Sequence, residues 1–117
     1  MLPAQHRLRH RRDFARVYQQ GTSFHSPWLV LWVCPQTVGT ETRIGIVVGS
    51  KVSKKAVQRN RIKRQLRVLC RQLLPLLVSG WDVVLVARAA AVGQQSGQFL
   101  PELKQLVARA GLFHARN

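Results

Sequence analysis

Carboxylates are nearly missing from this chain: Asp13, Glu41, Asp82 and Glu102 are the only four in 117 residues. A protein that hydrolyses phosphodiesters by itself usually needs clustered, metal-holding carboxylates or a paired general acid and base. The four are widely separated in sequence, and Asp13 with Asp82 is the only pair worth considering. No catalytic residue is therefore expected in the protein. Cysteine is scarce as well. Cys34 and Cys70 each sit in an apolar stretch, without the CxxC or Cys–His spacing of a zinc site. They read as buried, reduced thiols. His6, His10, His25 and His114 show no ligand spacing either, so no protein-bound metal is expected. Long apolar runs are missing too. The first, Trp28 to Cys34, is too short to span a bilayer and too late for a signal sequence, which points to a cytoplasmic protein without a membrane partner. No repeat or composition break divides the chain. It reads as one domain over 1–117, with 1–11 as a basic N-terminal arm and 112–117 as a tail that need not be ordered.

Positive charge is what the sequence has in excess. Nineteen Lys and Arg give a net charge of +15, while 46% hydrophobic residues indicate a packed globule and not a disordered basic tail. Such an excess repels itself in a compact fold. Mixed charge would serve solubility better, so a polyanionic partner is the more economical explanation. Nucleic acid fits best, because each neutralised phosphate releases counterions and adds affinity, with a membrane surface as the weaker competitor.

The element order follows from periodicity. Arg12–Gln20 reads as a short helix with Phe14, Val17 and Tyr18 on one face and Gly21 as its stop. Thr22–His25 and Trp28–Cys34 read as strands. In the second, Leu29, Leu31 and Val33 share one face and Val30, Trp32 and Cys34 the other, and both faces are apolar. Arg43–Val48 is expected to complete an antiparallel pair with it. A long helix is expected from about Ser53 or Lys54 into Leu73 or beyond, with Pro75 ending or kinking it. Trp81–Arg88 is a buried strand, Gly93–Gln98 a polar loop, and Pro101–Ala110 a closing helix with Leu103, Leu106 and Val107 inward. The fold class is α+β, helices packed on a small sheet.

The long helix carries the functional signal. Lys54, Lys55, Arg59, Arg61, Lys63, Arg64, Arg67 and Arg71 are basic, and no acid occurs from Thr42 to Trp81. At about 100° per residue, Ile62, Leu66, Leu69 and Leu73 form a core stripe. Asn60, Lys63, Arg64, Arg67 and Arg71 cluster more than a quarter turn away, and Arg61 projects to the far flank. A solvated face would carry acids at i, i+4 to offset its cations. This one has none, which suggests that a partner supplies the anions. Arg forks can take phosphates or base edges, and Asn can donate and accept at one position.

The run KAVQRNRIKRQLR, following RIGIVVGSK, resembles the signature of the bacterial ribonuclease P protein component. LRHRRDFARVYQQG is similar to that family's basic, aromatic first helix, LVLWV to its second strand, and GWDVVLVAR to the strand after the signature helix. The resemblance implies a two-layer α/β sandwich with a small, mostly antiparallel four-stranded sheet and a left-handed βαβ crossover. It implies that Arg59, Asn60, Arg61, Lys63 and Arg64 dock on the catalytic RNA, with Lys54, Lys55, Arg67 and Arg71 extending the same basic surface. Phe14, Tyr18, Val30 and Trp32 match a cleft that holds the single-stranded 5′ leader of precursor tRNA, with Arg12 and Lys51 beside it. Where the family often has paired lysines after the strand, Ser50-Lys51 stands here, and Tyr18 stands where phenylalanine is common. The implied partners are ribonuclease P RNA and precursor tRNA, with no protein partner required. The RNA would carry the active site and hold most of the Mg²⁺. A ribosomal or RNA-chaperone structural protein and a DNA-binding protein are the competing classes.

Overall fold

A computed structural model describes residues 2–37, 39, 41–94 and 96–114. Its elements are α1 (Arg11–Gln20), β1 (Thr22–His25), β2 (Leu29–Pro35), β3 (Arg43–Val47), α2 (Ala56–Leu73), β4 (Trp81–Ala87) and α3 (Ser96–Arg109). Short 3-10 turns sit at Ala4–His6, Leu74–Leu76 and Ala89–Ala91. The four strands form one sheet in the order β1-β2-β4-β3.

The two-faced reading of β2 holds. Leu29, Leu31 and Val33 join Val83, Leu85 and Ala87 of β4 in the larger core, beneath Leu66 and Leu69 of α2 and Phe99 and Leu103 of α3. On the other face Cys34 and Val84 pack with Val17 of α1, bordered by Phe14, Trp32, Val47 and Val86. The sandwich of sheet and helices α2 and α3 thus carries α1, with Leu8 of the N-terminal segment, on its second face.

Arg43–Val47 does not pair with β2. It lies at the far edge, parallel to β4, with Ile44 opposite Val83 and Ile46 opposite Leu85. Strand β4 takes the place beside β2, antiparallel, with Leu31 opposite Leu85. The apolar run of β4 explains the order: Val83, Val84 and Leu85 are all buried, and a strand covered on both faces belongs at the sheet's centre. Because β3 and β4 are parallel, they need a crossover, and α2 supplies it.

Two helix starts differ from expectation: α2 begins at Ala56, after Ser53 and Lys54, and the closing helix begins before Pro101. The basic arm is docked on the sheet: Leu2 and Leu8 are buried, Arg7 bridges to Ile44, and the Leu8 N–H donates to the Ile44 carbonyl at 3.1 Å. The arm covers the outer edge of β3, which would otherwise be open for pairing with another chain. The closing helix starts at Ser96, with Pro101 inside it, because the added turn buries Phe99 one turn before Leu103. Within the segment read as a tail, Leu112 is buried, Phe113 bridges to Leu77, and the His114 N–H donates to the Leu76 carbonyl at 2.9 Å. Positions 115–117 lie outside the described residues.

Gly21 does end α1, but in extended backbone (φ −83°, ψ 172°), not in a left-handed turn. Its role is space. A Cβ there would stand 2.4 Å from the Val17 carbonyl oxygen and 2.7 Å from that of Val33.

Candidate nucleic-acid interface

Helix α2 buries one stripe and presents its cations on the remaining, largely exposed surface. Ile62, Leu66, Leu69, Cys70 and Leu73 face the core. Asn60, Arg61, Arg64, Arg67 and Arg71 are exposed, as are Lys54 and Lys55 in the turn that leads into the helix. Arg59 is different. It is half-buried and donates from NH1 to the Ser53 carbonyl at 2.8 Å, folding back over the helix start. Ser53 also accepts from the Lys55 N–H at 3.1 Å and donates to Gln58 Oε1 at 2.5 Å, so this residue organises the entry into α2.

The four carboxylates are all occupied elsewhere. Asp13 pairs with Arg43 at 3.5 Å and Glu41 with His6 at 3.6 Å. Glu102 accepts from the Ser26 hydroxyl and from the Trp28 N–H. Asp82, fully buried, meets Arg16, Arg43 and Gln36. Among the described residues, no ion pair involves a cation of α2, so its field is left for an external anion.

A second basic cluster forms where sequence separation hid it. Arg7 and Arg9 of the N-terminal segment meet Lys63 and Arg67 of α2 around a cleft of about 210 Å³ floored by Ile44, Gly45 and Phe14. Reading arm and helix as separate basic segments misses this meeting. The buried Leu2 and Leu8 were the available signal, since apolar residues inside a basic run mark a segment that docks.

The aromatic residues divide between two jobs. Phe14 is half-buried and packs on β3, where a Cβ on Gly45 would come within 2.5 Å of its ring. Tyr18 stays open, 40% exposed, and meets Trp32 edge-on with ring centres 5.3 Å apart. Its partial burial raises the pKa of its phenol above the ordinary value. Val30 and Trp32 are half-buried on the same sheet face. Ser23, which the sequence did not single out, and His25, noted there only for its lack of ligand spacing, stand opposite Trp32 and Val30 on β1 and extend that face, with Ser23 Oγ 3.0 Å from His25 Nε2. Arg12 and Lys51 are exposed and, among the described residues, make no hydrogen bond or ion pair.

The sequence model of the family described as Ribonuclease P matches residues 2–111. The chain is 44% identical to the "Ribonuclease P protein component" of Microcystis aeruginosa, covering 97% of both chains. It is 46% identical to that of a Picosynechococcus species, again over 97% of both. The chain belongs to the ribonuclease P protein family. The fold agrees: the ribonuclease P protein of Staphylococcus aureus superposes with a TM-score of 0.85 at 28% identity, covering 93% of this chain and 98% of that one. That of Thermotoga maritima gives 0.78 at 29% identity, covering 88% and 96%. Membership makes this chain a protein component of ribonuclease P, a tRNA-processing ribonucleoprotein. Among the described residues, no helix is long and apolar enough to cross a membrane, and no group of three or more His, Cys, Asp or Glu is placed to hold a metal ion.

Proposed function

We propose that this chain is the non-catalytic cofactor of ribonuclease P, docking on the catalytic RNA through α2 and holding the 5′ leader of precursor tRNA on the sheet face beside α1. The observation that carries the reading is the cationic surface of α2, in no ion pair among the described residues, with all four carboxylates engaged by other groups. Arg61, Lys63, Arg64, Arg67 and Arg71 would replace condensed counterions on folded RNA, with Lys54 and Lys55 beside the helix start and Asn60 adding a neutral hydrogen-bonding group among them. Arg59, turned inward, would hold the helix entry in place.

The leader surface is the open side of α1. Tyr18, Trp32 and Val30 offer aromatic and aliphatic area to unstacked bases, which gain about 1–3 kcal/mol each by stacking without demanding sequence. A protein serving many precursor tRNAs needs that tolerance. Phe14 would shape the cleft from beneath, and Arg12 and Lys51 would meet the leader's phosphates.

Mg²⁺ takes oxygen ligands, usually one or two carboxylates together with phosphates. The carboxylates here are each bonded to arginine, histidine, serine or backbone N–H, a donor set that does not suit a resident ion. The ions of the reaction are accordingly assigned to the RNA, which would also carry the active site. The protein would screen repulsion between two RNAs in the cytoplasm without a protein partner. Family membership speaks against a ribosomal or chaperone role.

The test is 5′ processing of precursor tRNA by ribonuclease P RNA at low Mg²⁺, with and without this chain. Processing should be weak with RNA alone and restored on adding protein. Cleavage by the purified protein without RNA would refute the division of labour.

A further inference from the structure

On the flank of α2 away from the Lys63 and Arg67 cleft, the helix is polar but mostly uncharged. At about 100° per residue, Gln58 and Gln65 are seven apart and therefore share a flank, with Arg61 between them. The turn after Ala89–Ala91 brings Gln94 and Val92 against this flank, closing a cleft of about 330 Å³ over Ile62. Gly93 allows the approach through a left-handed backbone at φ +85°.

Hydrogen-bonding capacity is left over here. Gln65 makes no side-chain hydrogen bond among the described residues. Gln58 uses its carbonyl on the Ser53 hydroxyl, leaving its amide nitrogen, and Gln94 makes only a 3.5 Å contact to the Ala90 carbonyl. A phosphate would be a poor occupant, because its oxygens only accept and the amide carbonyls would go unused. A nucleobase edge both donates and accepts, as a carboxamide does, and an arginine fork suits guanine. Ile62 and Val92 supply apolar walls for the faces of a planar ring. The volume lies at the lower end of the roughly 300–1,000 Å³ of small-molecule sites.

We infer that this cleft takes a single extruded base of the catalytic RNA, held by the Gln58, Gln65 and Gln94 amides and by Arg61. The inference rests on the proposal that α2 docks on that RNA and adds a base-reading contact to a surface otherwise made of phosphate contacts. Catalytic RNA is preferred to precursor tRNA as the source because Arg61 belongs both to this cleft and to the exposed cationic surface of α2.

The experiment compares the full chain with its Gln65→Leu and Gln94→Ala variants, each bound to ribonuclease P RNA without precursor tRNA. Gln65 is half-buried, so its variant is checked by circular dichroism, and Gln94, in a surface turn, gives a second reading if that variant is unstable. Loss of a base contact should weaken binding by roughly five- to a hundredfold while leaving the salt slope unchanged, since no charge is removed. Dimethyl sulfate and kethoxal footprinting at saturating protein should show a base protected by the wild type and exposed again with either variant. Wild-type affinity and an unchanged footprint in both variants, with Arg64→Ala still weakening the complex, would overturn the pocket alone. If the wild type showed no preference for this RNA over random RNA, the docking proposal would fall and the pocket with it.

Discussion

Arg43 grips Asp82 with two parallel hydrogen bonds, Nε to Oδ1 at 2.9 Å and NH2 to Oδ2 at 2.8 Å. The bond to Asp82 pushes the Arg43 guanidinium above its ordinary pKa, against a smaller opposing effect of burial. Arg16 reaches the same carboxylate from α1 and also donates to the Pro35 carbonyl at 3.1 Å. Gln36 completes the set at 2.9 Å. One buried anion thus ties helix α1 to strands β3 and β4 and fixes the height of α1 over the proposed leader face.

Asp82→Asn should therefore destabilise the fold by about 2–4 kcal/mol, since two guanidinium groups lose the buried negative charge and one of its two acceptor oxygens becomes an NH2 donor. The range stays moderate because both arginines can reach water. Asp13→Asn breaks only the partly exposed 3.5 Å pair with Arg43 and should cost less than about 1 kcal/mol. Denaturant unfolding of both variants checks the contrast, and equal losses would show that Asp82 is not the anchor.

This anchor was hidden in the sequence, where Asp82 is one acid in a strand and Arg16 one cation among many. The strand and helix segments were legible because the period-2 and period-3.6 patterns are local. The exposed cations of α2 followed from the same periodicity. Sheet order was not legible, because choosing between β2 and β4 as neighbour of β3 depends on contacts some forty residues apart. The meeting of Arg7 and Arg9 with Lys63 and Arg67 was lost for the same reason. Phe14 and Tyr18 share a helix face in the sequence, yet Gly45 admits one ring to the sheet while the other stays open.

Gly45→Ala places a methyl where the Phe14 ring now lies, 2.5 Å from Cζ and 2.6 Å from Cε1. Overpacking of this kind costs about 1–3 kcal/mol, and the ring must move outward. Leader-dependent affinity should fall with stability. The double variant Gly45→Ala, Phe14→Leu should recover part of the stability, and a failure to do so would mean the strand itself resists the methyl.

Arg64→Ala and Tyr18→Ala separate the two surfaces. Removing an exposed cation of α2 should weaken binding to ribonuclease P RNA and reduce its salt slope by about one ion. Removing the open ring should leave that binding intact and lower the preference for leader-bearing over leaderless precursor by about 1–3 kcal/mol. Filter binding with matched substrates across a salt series distinguishes them. Identical responses from the two variants would abolish the two-surface description.

Cys70 offers a test of the core through pH. Burial on the core-facing side of α2 pushes its thiol up from its ordinary 9.0 to about 12. The native state holds this proton more tightly than the unfolded chain, so the group's contribution is constant below about pH 9. As pH rises from there toward 12, the unfolded state releases the proton first and native stability falls. Cys70→Ala removes the titration and should flatten this alkaline limb relative to wild type, at the cost of a small cavity visible as a uniform loss at neutral pH. Urea unfolding at pH 7 and at pH 10 gives both numbers. An alkaline loss of the same size in the variant would assign the limb to other groups, whereas rapid alkylation of the native thiol at pH 8 would mean that α2 opens locally far more often than its buried stripe implies.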